Sequence, residues 1–214
     1  MDDGGEPMTA GAKLRREDFV EAAFELAQAS GVHGFTMRSL GERMDLDPTT
    51  VYRYFSSKDA LIVAMVGRMM SERVTPEMLS LPPRERILAM ADVARTTLLE
   101  NPEMTIAVVT VTQSSETMAA SEIVIEALEE LGLAGRDLVL YYQLLEGMII
   151  GSILLDGGGA PENWQGRANR YRTFGIRPFT EVSKLGPEEV EAVATEAMRL
   201  GLTTVLDAIE SAAG

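Results

Sequence analysis

Two short amphipathic segments follow one another between Thr36 and Phe55, and the tight turn between them limits what the chain can fold into. Thr36 can cap a helix of about nine residues in which Met37, Leu40 and Met44 share a face, ending before Leu46. Asp47-Pro48 then starts a second short helix, running to about Phe55. A carboxylate at the cap accepts orphan backbone amides, and proline tolerates the first helical position. Short helices joined by a tight turn, the second followed closely by a basic residue, give helix-turn-helix geometry, whose second helix can enter a DNA major groove.

The segments on either side are helical too. Phe19, Ala22, Ala23 and Leu26 recur on one face of a helix from Arg16 to Ala29, with Ser30-Gly31 as its stop. Ser56 and Asp59 stand at capping-box spacing before a helix from about Lys58 to Arg73, with Ser57 as the alternative cap. Further helices are expected from Pro82-Pro83 to Glu100, Pro102 to about Thr112, Ser114-Ser115 to Leu131, Arg136 to Asp156, and Gly186-Pro187 to about Ala212. The stretch from Gly157 to about Leu185 breaks the pattern with its glycines and with Pro161 and Pro178. No strand pattern competes, so the expected fold is all-α with about nine helices. Residues 1–13 read as a flexible tail, 14–60 as a helix-turn-helix domain, and 61–214 as a larger helical domain.

Charge narrows the function classes. With 33 acids against 19 bases the net charge is -14, which excludes gripping nucleic acid with the whole surface. The imbalance is local, however: residues 11–70 hold eight bases and eight acids, whereas 71–214 hold eleven and twenty-two. A DNA site confined to the first part remains open. The absence of cysteine excludes a disulfide scaffold, a thiol nucleophile and cysteine-based metal sites, and fits a reducing cytoplasm. His33 stands alone, so no metal and no cofactor is expected. Gly157-Gly158-Gly159 lacks the Lys-Ser or Lys-Thr of a phosphate loop, and adjacent Glu129 and Glu130 point apart on a helix, so an enzyme is not expected. Leu138 to Leu155 is the most membrane-like stretch, but it contains Gln143 and Glu146 and is short for a span of about 20 residues, so a buried helix is expected.

Thr49, Thr50 and Tyr52 project from the first turns of the second short helix, where hydroxyls reach base edges or phosphates. Arg53 and Tyr54 come next, and Lys58 lies at the following helix start, where an amine beside free backbone amides favours a phosphate. Val51, Phe55, Leu40, Leu46 and Phe35 read as core. For Tyr52 or Tyr54 packing is the alternative, and for Arg53 a solvated charge.

The run Gly34-Phe35-Thr36-Met37-Arg38-Ser39-Leu40, then Leu46-Asp47-Pro48-Thr49-Thr50-Val51-Tyr52-Arg53-Tyr54-Phe55, then Ser57-Lys58-Asp59-Ala60-Leu61, resembles the DNA-binding segment of the tetracycline-repressor (TetR) family. The resemblance covers about residues 14–65. It implies phosphate roles for Thr36, Tyr54 and Lys58, groove roles for Thr49, Thr50 and Tyr52, and base contact from Arg38. It also implies a homodimer on a palindromic double-stranded DNA operator, with reading helices about 34 to 36 Å apart, and a small-molecule pocket among the middle helices. The expected function is a ligand-responsive regulator, a repressor released by an apolar or amphipathic effector. A helical adaptor or sensor with a degenerate DNA head is the alternative.

In the acidic part, Met90, Met104, Met118 and Met148 are adaptable side chains suited to an apolar pocket, with Tyr142 or Gln143 holding a polar group. The helix from Arg136 carries two stripes: Leu140, Leu144, Gly147, Gly151 and Leu154 on one side, Tyr142, Leu145, Ile149 and Ser152 on the other. The last helix has a small-residue face at Ala194, Ala197, Gly201, Thr204 and Ala208. These two helices are expected to pair with their twins as a four-helix dimer interface, the alternative being packing within one subunit. Arg167, Arg170, Arg172 and Arg177, interleaved with Tyr171, Phe174 and Phe179, read as a loop docked on carboxylates such as Glu122, Glu126 or Glu129; a DNA patch and an anion site are the alternatives.

Overall fold

The computed structural model describes residues 14–110, 115–156, 184 and 187–213. The tail at 1–13 and the arginine run within 157–183 lie outside the described residues. Among the described residues the chain is all-α, with ten helices and no strand. In order these are α1 (Arg16–Ser30), α2 (Met37–Arg43), α3 (Pro48–Tyr54), α4 (Lys58–Arg73), α5 (Pro76–Leu79), α6 (Pro83–Glu100), α7 (Pro102–Thr110), α8 (Ser115–Glu130), α9 (Gly135–Asp156) and α10 (Pro187–Ala213). Helix α5 is the element not expected from sequence. Thr75 caps it by accepting from the Met78 amide, and Pro76 takes the first helical position, so the proline that signals a break also starts a single turn.

The chain divides into two compact units between Leu61 and Ile62, inside α4. The first unit is built around three aromatic rings. Phe19 of α1 lies 4.5 Å from Tyr54 and 6.3 Å from Phe55 between centroids, and Phe35, Leu40 and Val51 are buried with it. Helices α2 and α3 have only seven residues each. Isolated helices that short are unstable in water, so their order comes from caps and from this core. Ser57, not Ser56, starts α4: its hydroxyl accepts the Ala60 amide at 3.1 Å.

The second unit is a helical bundle in which α6 touches α5, α7, α8, α9 and α10. Its core joins Ile87 and Ala91 of α6, Ala127 and Leu128 of α8, Leu145 of α9, and Met198, Leu202, Leu206 and Ile209 of α10. Burying each large aliphatic side chain contributes about 1.5–3 kcal/mol. Ion pairs tie the rim: Arg84 to Asp207 at 2.7 Å and Glu210 at 3.0 Å, Arg86 to Glu130, and Arg199 to Asp92.

Candidate nucleic-acid interface

Helix α2 starts at a reciprocal cap. The Thr36 hydroxyl accepts the Ser39 amide at 3.0 Å, and Ser39 Oγ accepts the Thr36 amide at 2.8 Å. The chain then turns through Met44 and Asp45, the latter at φ 55, a left-handed conformation that a short polar side chain tolerates. Gly41 makes this turn possible. A Cβ there would sit 2.9 Å from the Leu46 carbonyl oxygen and 3.4 Å from Pro48, and the Leu46 amide donates to the Gly41 carbonyl at 2.8 Å. At the start of α3 one carboxylate oxygen of Asp47 accepts both the Thr49 amide at 2.8 Å and the Thr49 hydroxyl at 2.6 Å. These bonds hold the Asp47 carboxyl below its usual range, the Thr49 side chain contributing most.

With Val51 and Phe55 buried, the 100° step of the helix turns Thr49, Tyr52 and Arg53 outward. Tyr52 is 54% exposed, unusual for a large aromatic ring with no partner ring beside it among the described residues. Thr50 flanks this face and is half-buried. Arg38 is exposed on α2, and its Nε donates to Glu42 at 2.9 Å, a contact that uses one of the five guanidinium donors. Tyr54 departs from the expected row: its ring is stacked on Phe19, and its hydroxyl donates to the Leu14 carbonyl at 3.2 Å. Packing, one of the two readings held open for it, is what the structure places there.

Lys58 also has protein partners. Its amine donates to the carbonyls of Phe35 at 2.7 Å and His33 at 3.3 Å and lies 4.5 Å from the centre of the Phe35 ring. Burial pulls its pKa down while Asp59 opposes the shift. An ammonium has three donors, so one remains for a phosphate. Arg16 is the residue that motif reading missed: its guanidinium donates to the Tyr54 carbonyl and sits 4.0 Å over the Phe55 ring. A basic residue at the start of a helix, against the dipole, was the signal available for it.

The residues expected to line a pocket do not all converge. Met90 and Met104 are buried, Met148 is half-buried, and Met118 and Gln143 face outward, Gln143 donating to Glu146 at 3.2 Å. Met118 and Gln143 therefore do not share one interior lining with Met90 and Met104. Tyr142 is half-buried, donates to Ser121 of α8 at 2.8 Å, and burial raises its phenol above the usual range. No cluster of metal-ligating side chains occurs among the described residues.

The two stripes of α9 separate as their phases dictate. Tyr142, Leu145, Ile149 and Ser152 turn inward, whereas Leu140, Leu144 and Leu154 remain 49%, 44% and 42% exposed. A Cβ at Gly147 or Gly151 would meet nothing within 4 Å. On α10, Ala197, Thr204 and Ala208 are exposed beside Val193 and Leu200. Two members of the expected α10 face are used inside the subunit instead: Ala194 is buried, and Gly201 leaves the space filled by the end of Met148. Helix α9 is also the one described helix long and apolar enough to cross a membrane by length and composition, and, contrary to the buried helix expected, most of it is uncovered within the subunit, because only one of its two stripes meets α6, α8 and α10.

Residues 19–65 match the family described as "Bacterial regulatory proteins, tetR family". An HTH-type transcriptional repressor of Mycobacterium tuberculosis is 30% identical over 162 residues, 69% of this chain and 62% of its own length. The chain thus spans about three fifths of that relative. Among solved structures, BioQ of Mycobacterium smegmatis superposes with a TM-score of 0.59 at 21% identity, covering 92% of this chain and 99% of its own. The Streptomyces coelicolor protein ActR, in complex with (S)-DNPA, gives 0.66 at 15% identity, covering 95% and 100%. At these identities the likeness concerns the fold. BioQ has also been crystallised with its double-stranded DNA operator.

Proposed function

We propose that this chain, whose residues 19–65 match the tetR family of bacterial regulatory proteins, is a DNA-binding repressor that acts as a homodimer in the cytoplasm and is released by a small apolar or amphipathic effector. The observation that carries the reading is the outward face of α3, where Thr49, Tyr52 and Arg53 stand free of the core that Val51 and Phe55 anchor. Thr50, Arg38 and Thr36 extend this face, and Lys58 supplies its remaining donor to a phosphate. BioQ with its operator and ActR with its small molecule support the two halves of the proposal.

A balanced charge in the first part makes a single head a weak binder, so two heads are needed. The second copy docks on the exposed stripe of α9 and the Ala197, Thr204, Ala208 row of α10, where Gly147 and Gly151 let a backbone approach closely. The effector enters the interior near Met90 and Met104. To move the population from 1:99 to 99:1 it must favour the released state by about 5.5 kcal/mol.

The test is a gel shift on DNA flanking the coding region, at several salt concentrations. The Thr50→Ala, Tyr52→Ala double variant is expected to lose the specific shift while light scattering still reports a dimer. Operator binding retained by the folded double variant would rule out the assignment of α3 as the reading helix.

A further inference from the structure

Resting on the DNA-reading proposal, we propose that Arg16 is a positioning residue that sets the angle of the reading helix from its C-terminal end. Helix α3 has seven residues, too few to hold its own course, and its first turn is held by the Asp47 cap. Its other end is tied by a reciprocal pair of bonds to the start of α1. The Arg16 guanidinium donates to the Tyr54 carbonyl, and the Tyr54 hydroxyl donates back to the Leu14 carbonyl at 3.2 Å.

Two further contacts give the tie a direction. The same guanidinium lies 4.0 Å over the Phe55 ring, and Phe19, one turn along α1, lies 4.5 Å from the Tyr54 ring. A cation at the C-terminal carbonyls of a helix also meets the negative end of its dipole. Tyr52 and Arg53 lie immediately before the clamped carbonyl, so a tilt at Tyr54 displaces the exposed side chains that face DNA. Arg16 is half-buried and committed to these partners. It aligns the readers without itself reading.

This role separates from a phosphate contact by salt dependence. Each phosphate neutralised adds about 0.9 to the slope of log affinity against log salt, and a positioning residue adds nothing. The probes are a duplex selected from random sequence by the wild-type protein and a scrambled duplex of equal length. Arg16→Met is expected to weaken the selected duplex by about tenfold to a hundredfold, the range of one or two lost base contacts. Scrambled-duplex affinity and salt slope stay unchanged. In a Tyr52→Ala background the same change is expected to cost much less, because both act through one contact.

Arg16→Lys keeps a cation and a donor, the pair of contacts that Lys58 makes with the Phe35 carbonyl and ring, and is expected to recover most of the affinity lost in Arg16→Met. Arg16→Gln, a donor without the charge, serves if the methionine variant does not fold. A loss in Arg16→Lys as large as in Arg16→Met, or a slope about one shallower with equal loss on both duplexes in Arg16→Met, overturns the clamp. A wild-type protein that selects no sequence at all overturns the DNA-reading proposal instead, a different failure.

Discussion

The first unit holds two seven-residue helices with aromatic rings, caps and cations placed over rings, whereas the second stacks helices of 16 to 27 residues through aliphatic side chains and leaves an apolar stripe open on its surface. Small rigid groups fix short elements in one orientation, which a reader of base edges requires. Long helices tolerate an uncovered face because their remaining faces already bury enough surface to order them. Precision is concentrated in the first unit, and unused adhesive surface in the second.

The largest effect expected from this contrast comes from the cores. Phe19→Ala removes the ring shared by Tyr54 and Phe55 and is expected to cost about 3–5 kcal/mol, with loss of amide-exchange protection in α3. Leu206→Ala, at a fully buried α10 position, is expected to cost about 2–5 kcal/mol while leaving α3 protected. Equal loss of α3 protection in both variants would erase the distinction between the units.

The glycines give an intermediate effect of opposite sign. Gly41→Ala places a methyl 2.9 Å from the Leu46 carbonyl oxygen and is expected to destabilise the first unit by about 1–3 kcal/mol in urea titrations. Gly147→Ala meets open space in the subunit and is expected to raise helix stability by about 0.8–1.0 kcal/mol. The same methyl is expected to weaken the proposed dimer in sedimentation, because it stands where the second backbone is proposed to approach. A Gly147→Ala dimer as tight as wild type places the interface elsewhere.

The smallest effect is electrostatic. Asp47 has a folded pKa below its ordinary value of 3.8, so the stability it confers is present above that value and lost as pH falls through the lower folded pKa. The amide protection factors of α3, corrected for the intrinsic pH dependence of exchange, are expected to hold down to about pH 4 and to fall below it. Asp47→Asn is expected to remove that dependence, and an acid limb that survives the substitution assigns the effect to another carboxylate.

Much of this molecule was legible from local signals. The starts of α1, α3, α4, α6, α7 and α10 fall at the residues expected, because caps and prolines act within one turn. The two stripes of α9 were visible from their spacing, and so was the outward placement of Thr49 and Tyr52 once Val51 and Phe55 were taken as core. Periodicity could not tell which α9 stripe faces the subunit, since both are apolar and the choice belongs to α6, α8 and α10. Nor could it separate Tyr52 from Tyr54, chemically alike and two positions apart, one exposed and the other stacked on Phe19.

The sequence by itself determined an all-α fold, where most of its helices begin, and a helix-turn-helix motif in a charge-balanced stretch. These follow from hydrogen bonds and side-chain phases that reach only three or four residues. Tertiary structure alone decided that Arg16 meets a carbonyl 38 positions away, that Gly201 makes room for Met148, and that Leu140, Leu144 and Leu154 stay uncovered. Long side chains and apolar faces choose among many partners of similar chemistry, and only the packing of distant segments removes all but one.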